Sequence, residues 1–232
     1  MNKKERLLIC IPLFICSFLP LFTLILHPFG YSVSLASYKI FSAVSAIICI
    51  ASVFRIKESG YNKTTRLFIA FLPLMQLINT VIYVNKSKSA LTAVFMAICF
   101  ISCAVLSQKI LLSVKTKIAS VITSSLMFLV LVLISFVAVF FGNFSVNTVV
   151  KTISSPSKEY YAEVVDSDQG ATGGSTVVYI KKSDSVNLLF ATIEKAPERA
   201  YLGEWREYET MDIYWKDKNT LIINSSEYII NQ

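Results

Sequence analysis

Few residues in this chain could carry chemistry, and most of them lie in its last third. Glu207 and Glu209 stand one residue apart in Glu204-Trp-Arg-Glu-Tyr-Glu209. Paired carboxylates are what a glycosidase uses as acid and base. The same stretch, with Glu204, Trp205 and Tyr208, also reads as an acidic and aromatic surface able to meet a cation, a sugar or a partner. The expected arrangement is a solvated edge with Trp205 turned inward. Asp166-x-Asp168-x-Gly170 echoes a calcium loop, but an EF-hand needs a third ligand before its glycine and a glutamate six residues after it. A hairpin turn is the expected role there. The one histidine, His27, sits beside Pro28, and all five cysteines (Cys10, Cys16, Cys49, Cys99, Cys103) fall in apolar runs. Thiols in such runs usually serve packing. Residues 142–232 contain neither histidine nor cysteine, which excludes a Ser-His-Asp triad, a thiol nucleophile and an ordinary zinc site from them. No catalytic residue, cofactor or metal is therefore assigned. One polar spot stands inside the apolar half: Gln76 and Asn79, three apart near Pro73. They share a helix face at that spacing, where they either bond to a neighbouring helix or line a path.

The elements that must carry these residues change character near residue 141. A hydrophobic fraction of 54% and a mean hydropathy of +0.60 are too apolar for one water-soluble domain. Residues 118–141 hold no charge. At about 1.5 Å rise per residue, a helix of that length covers the ~30 Å hydrocarbon core. Further apolar runs at 7–26, 33–54, 67–84 and 90–112 complete an α-helical membrane bundle of five transmembrane helices over residues 1–141. The run at 33–54 has an uncharged core of only residues 40–54, so residues 31–38 are needed to complete it and Lys39 must snorkel or face a polar interior. The basic start (Lys3, Lys4, Arg6) resembles a signal peptide. Its apolar run exceeds the 7–15 residues typical of one, so the expectation is an uncleaved first span containing Pro12 and Pro20.

Charge sets the expected orientation. With the amino terminus cytoplasmic, the inner segments hold Lys3, Lys4, Arg6, Arg55, Lys57, Lys63, Arg66, Lys109, Lys115 and Lys117, against Lys39, Lys86 and Lys88 outside. The predicted location is the cell membrane, multi-pass, with the carboxyl-terminal region extracytoplasmic. Residues 1–141 carry 13 Lys/Arg and two acids, net +11; residues 142–232 carry nine and 13, net −4. A nucleic-acid binder needs a basic face on its soluble part, so no nucleic-acid partner is expected. No Asp or Glu lies in any span. That argues against proton-coupled transport and aspartyl intramembrane proteolysis, which need an intramembrane carboxylate.

Residues 142–157 read as a polar linker broken at Pro156. Short runs rich in β-branched and aromatic residues follow at 160–166, 176–181, 188–193, 211–215, 220–223 and 227–230. They predict a small all-β antiparallel sheet or sandwich domain over residues 158–232, near the lower size limit for folding alone. Ser155-Pro-Ser-Lys-Glu-Tyr160 looks like the S-P-D-G-K-Y opening of a strand, with Ser157-Lys-Glu159 in place of D-G-K. Gly170-Ala-Thr-Gly-Gly-Ser-Thr-Val177 looks like G-A-T-T/G-x-S-x-x-V, and Ile213-Tyr-Trp-Lys-Asp-Lys-Asn-Thr-Leu-Ile-Ile-Asn224 like I-x-W-x-D-x-x-T-V-x-I-N. About 70 residues of the tail thus resemble a bacterial domain-of-unknown-function family of small multi-pass membrane proteins with an extracytoplasmic β domain. The resemblance implies a location and a fold but no activity.

The sequence therefore predicts a non-enzymatic membrane protein in contact with the lipid bilayer. Its outer β domain is expected to bind a membrane or envelope protein or another envelope component. A small transport or channel component using Gln76 and Asn79 is the alternative.

Overall fold

The computed structural model describes residues 3–56, 63–111, 113–142, 146–170, 173–188 and 190–230. The chain divides into two compact units: Met1–Leu24 with Leu35–Gly142, and Ile25–Ser34 with Asn143–Gln232.

The first unit is helical: α1 (Lys3–Leu26), α2 (Tyr38–Arg55), α3 (Lys63–Ser87), α4 (Ala90–Ile110) and α5 (Val114–Phe140). Helices α2 to α5 are long and apolar enough to cross a membrane, and α1 makes a fifth if its two halves form one span. Those halves, Cys10–Pro20 and Phe22–Phe29, meet at 41°. Pro20 accounts for the bend, because its ring removes one helical N–H and crowds the carbonyl a turn earlier. The Thr23 hydroxyl donates to the Pro20 carbonyl at the same place. Helix α4 is central, packing on α2, α3 and α5. It buries Met96, Cys99, Phe100, Cys103, Leu106 and Ile110, while Leu13, Ala46, Cys49, Ile69 and Leu72 close on it from the other helices. Helix α5 instead keeps Leu126, Leu129, Leu133 and Phe140 outward, as expected of a helix whose solvent is lipid. Lys109, near the end of α4, donates to the Val53 carbonyl in the last turn of α2, 2.8 Å away. A cation there suits the negative end of the helix dipole.

One span differs from expectation. The 33–54 run does not begin its helix at residue 33; Ser37 caps α2, its hydroxyl accepting from the Ile40 amide. Residues ahead of it form a strand, β1 (Tyr31–Leu35). The eighteen helical residues of α2 reach about 27 Å, close to the ~30 Å hydrocarbon core. Lys57 and the last residue of the 90–112 run lie outside the described residues.

The second unit is β. After β1 come β2 (Val146–Ser154), β3 (Tyr160–Asp168), β4 (Gly174–Lys182), β5 (Ser185–Asn187), β6 (Ala191–Lys195), β7 (Glu198–Gly203), β8 (Ile213–Trp215), β9 (Thr220–Ile223) and β10 (Ser226–Ile229). They form a four-stranded sheet β2-β3-β4-β7, a meander β10-β9-β8 and a sheet β1-β6-β5. The registered pairs within these sheets are antiparallel. Alternation along β3 and β4 turns Tyr160, Ala162, Val164, Val178 and Ile180 to one face, where they pack on Ile213, Leu221, Ile223 and Ile230 from the meander and its end. The Trp215 indole N–H donates to the Ile153 carbonyl, 3.0 Å away, joining the meander to β2.

Two expectations about the tail are corrected. Most of the 142–157 linker is β2, whose β-branched Val146, Thr148, Val149, Val150, Thr152 and Ile153 suit a strand pairing the whole length of β3. The 188–193 run is not one strand: the Leu188 amide donates to the Ala191 carbonyl, closing a turn between β5 and β6. Ala171 and Thr172 of the glycine-bearing loop lie outside the described residues.

Candidate functional site

Helix α3 turns Gln76, Asn79, Thr80 and Tyr83 to one face, at spacings of three, four and seven, and all four are buried. Gln76 donates through its amide nitrogen to the Ser17 hydroxyl of α1 at 3.0 Å. Asn79 donates to the Ser17 carbonyl at 3.0 Å, and the Thr80 hydroxyl donates back to the Gln76 carbonyl at 2.7 Å. Gln76 and Asn79 thus tie α3 to α1 close to the Pro20 bend. Ser17, fully buried, is the partner that sequence reading missed; Thr80 and Tyr83 were visible in the same periodic stripe. Among the described residues, five buried oxygens in this unit stay without a hydrogen-bond partner: Asn79 Oδ1, Ser45 Oγ, Thr92 Oγ1, Tyr83 OH and Ser135 Oγ. Cys16 of α1, Cys49 of α2 and Cys99 and Cys103 of α4 are also buried, with the Cys49 and Cys103 sulfurs 3.9 Å apart.

In the β unit, the 204–209 stretch follows β7 and turns through a short 3-10 segment, Glu207–Glu209. Glu207 is held at three points. Its Oε1 accepts from the Tyr201 hydroxyl at 2.6 Å and from the Asn224 amide at 2.8 Å; its Oε2 accepts from the Glu204 backbone N–H at 2.9 Å. An added methyl at Gly203 would overlap that carboxylate. The Tyr201 phenol is pushed above its ordinary range, first by the bond to Glu207 and then by burial. Glu209 is exposed and Tyr208 half-buried against the core. The Tyr208 amide donates to the Thr176 hydroxyl at 3.3 Å, and the Thr176 amide to the Glu204 carbonyl at 3.0 Å. The stretch is a stapled turn on the β4–β7 edge, with Glu207 bound into the backbone.

Trp205 departs from expectation. It is 45% exposed rather than turned inward, lying over Gly174, where any side chain would collide with the indole. The Arg206 guanidinium stacks 5.1 Å from its ring centre, a cation–π distance. Arg206 reaches that position at φ +61°, a left-handed conformation uncommon for a side chain of this size.

No protein-family model matches this chain, and no curated protein or solved structure matches it.

The remaining candidates take ordinary roles. Asp168 accepts from the Gly170 amide at 2.7 Å, an Asx turn with Gly170 at φ +65°. Among the described residues no three His, Cys, Asp or Glu side chains converge as a metal site. His27 is exposed on the turn that follows α1.

Proposed function

We propose that this chain is a non-enzymatic multi-pass membrane protein. Its amino terminus is cytoplasmic, and its β unit, on the extracytoplasmic side of the cell membrane, holds a protein partner or envelope component. The pairing of β1 with β6 carries the topological half of the reading. Strand β1 lies between α1 and α2 in the chain, and β6 lies after α5; the Ala196 amide donates to the Gly30 carbonyl at 2.8 Å. Two strands that bond to each other stand on one side of a bilayer. The chain between them must then cross an even number of times, which α2 to α5 satisfy. The ten-to-three bias of Lys and Arg supports that side being the outer one. The tail's likeness to extracytoplasmic β modules belongs to the same proposal.

The binding half rests on Trp205. A half-exposed tryptophan, packed against Gly174 and with the Arg206 guanidinium over its ring, has the composition of an interface hot spot. Glu204 and Glu209 add acidic rim. A membrane-impermeant crosslinker applied to intact cells is expected to capture one partner in the wild type. Trp205→Ala is expected to reduce that yield by about tenfold or more, the loss of at least ~1.4 kcal/mol that a hot spot implies. An unchanged yield would remove the assigned surface, and no capture at all would remove the partner.

The unpartnered Asn79 Oδ1 favours a second reading, a small transport component whose path runs past it. Unsatisfied buried polar atoms cost free energy and usually indicate something that meets them. In this reading Asn79→Leu lowers a solute flux in reconstituted vesicles, while Gln76→Leu, which removes the bond to the Ser17 hydroxyl and leaves the Asn79 bond to the Ser17 carbonyl, lowers helix-bundle stability by about 0.6–2 kcal/mol. Flux unaltered in Asn79→Leu would leave the pair as helix–helix contacts alone.

A further inference from the structure

Val186 and Leu188 stand two apart, and with Phe190 they leave the β5–β6 hairpin 60%, 50% and 43% exposed. Turns normally draw on Gly, Asn, Asp or Ser, so large apolar side chains at this one are unusual in water.

Where the turn lies follows from register and chain length. Gly30 stands opposite Ala196, and the Ser32 hydroxyl donates to the Glu194 carboxylate at 3.3 Å. As β1 advances toward Leu35, β6 therefore runs back toward Ala191, so the Leu188 turn lies at the Leu35 end. Two residues beyond Leu35, Ser37 caps α2. Three residues of chain from Leu35 to Tyr38 reach at most about 11 Å, and a paired strand adds ~4.8 Å. Helix α2 itself has little length to spare: its 18 residues give about 27 Å against a ~30 Å hydrocarbon core. Its first turn, with exposed Lys39, must then sit at the hydrocarbon boundary. At the other end of β1, only three residues separate Leu26 of α1 from Gly30, and Phe29 among them is 73% exposed. Both ends of β1 are thus joined to α1 and α2 by only a few residues of chain.

We propose that the β5–β6 turn is seated in the headgroup–acyl boundary of the leaflet at which α2 begins, with Val186, Leu188 and Phe190 in contact with lipid. The proposal rests on reading α1 and α2 as spans. Lipid gives these side chains the apolar surroundings that water denies them. The turn then acts as an additional membrane anchor for the β5–β6 hairpin.

The test uses the full-length chain in phosphatidylcholine vesicles, with and without bromine atoms near the top of the acyl chains. Wild-type emission comes from Trp205 and Trp215 alone, which sets the baseline for Leu188→Trp. Side chains at this boundary sit about 5–10 Å into the interface, within contact range of the bromines. The emission added by the substitution should fall about twofold or more in brominated vesicles and resist aqueous acrylamide. Added emission that acrylamide quenches and bromine does not would place the turn in water and overturn the proposal. Shielding from both quenchers would mean that protein covers the turn, and overturns it equally. Val186→Trp gives the same reading should Leu188→Trp fail to reconstitute. A wild-type chain that does not float with the vesicles would instead defeat the spans on which the proposal rests.

Discussion

Leu221→Ala is expected to destabilise the β unit by about 2–5 kcal/mol, the range for emptying a leucine-sized site in a core that relaxes only in part. Leu221 is fully buried on β9, the central strand of the meander, opposite Trp215 on one side and Tyr228 on the other. It packs into the cluster that also contains Val164, Val178, Ile180 and Ile223. Small domains hold only about 5–15 kcal/mol in total, so this single truncation removes a large share. Leu202→Ala on β7, 57% exposed, is the matched control and should stay within about 0.5 kcal/mol. Urea unfolding of the full-length chain in lipid nanodiscs, followed by tryptophan emission, reads this unit alone, because both tryptophans lie in it. A loss below about 1 kcal/mol for Leu221→Ala would mean that the two layers do not pack as described.

The helices were legible because a lipid-crossing segment needs only length and apolarity, and both are properties of a single window of sequence. The strands were harder because pairing is not local. Tyr31-Ser-Val-Ser-Leu35 alternates apolar and polar residues, as a strand with one buried face does. Its partner β6 lies some 160 residues later, so nothing local separates the segment from the neighbouring span. Residues 146–154 carried β-branched residues enough, but most of β2 is solvent-exposed, and polarity there reads as linker. Strand β7, Glu198–Gly203, contains no β-branched residue at all; its place is set by β4 across from it, which propensity does not report. The turn at Leu188 was invisible for the opposite reason, being apolar where turns are polar.

The candidate sites divide along the same line. Gln76 and Asn79 stood out because uncharged amides are conspicuous in a membrane helix, and their helical spacing was readable. Ser17 was not readable as their partner, since serine is common in spans and nothing local ties residue 17 to residue 76. Trp205 was expected inward on hydrophobicity alone. Gly174 is what changes the outcome: without a side chain, it leaves the indole a flat seat on the sheet surface, and only the fold brings the two together.

Glu207→Ala is the second large effect expected, and it bears directly on whether this carboxylate does chemistry. Removing the side chain strands the Tyr201 hydroxyl, the Asn224 amide and the Glu204 backbone N–H, all of which now donate to it. At about 1 kcal/mol for each net hydrogen bond, plus part of the penalty for partners left dry, the loss comes to roughly 2–4 kcal/mol; water reaching this half-exposed turn keeps it from being larger. Glu207→Gln retains one oxygen acceptor and should lose about half as much. The Tyr201 bond adds a pH signature. A phenol whose folded pKa is raised contributes stability that is complete below the unfolded value of about 10 and disappears as pH rises through the folded value. The stability advantage of wild type over Tyr201→Phe should therefore be constant near neutrality and shrink above pH ~10, read by the same urea titrations. A hydrolytic carboxylate predicts the reverse of this set: Glu207→Gln would fold as well as wild type and lose an activity. The three bonds already filling Glu207 are the physical reason to expect loss of structure instead, because a general acid or base needs an oxygen free to face its substrate.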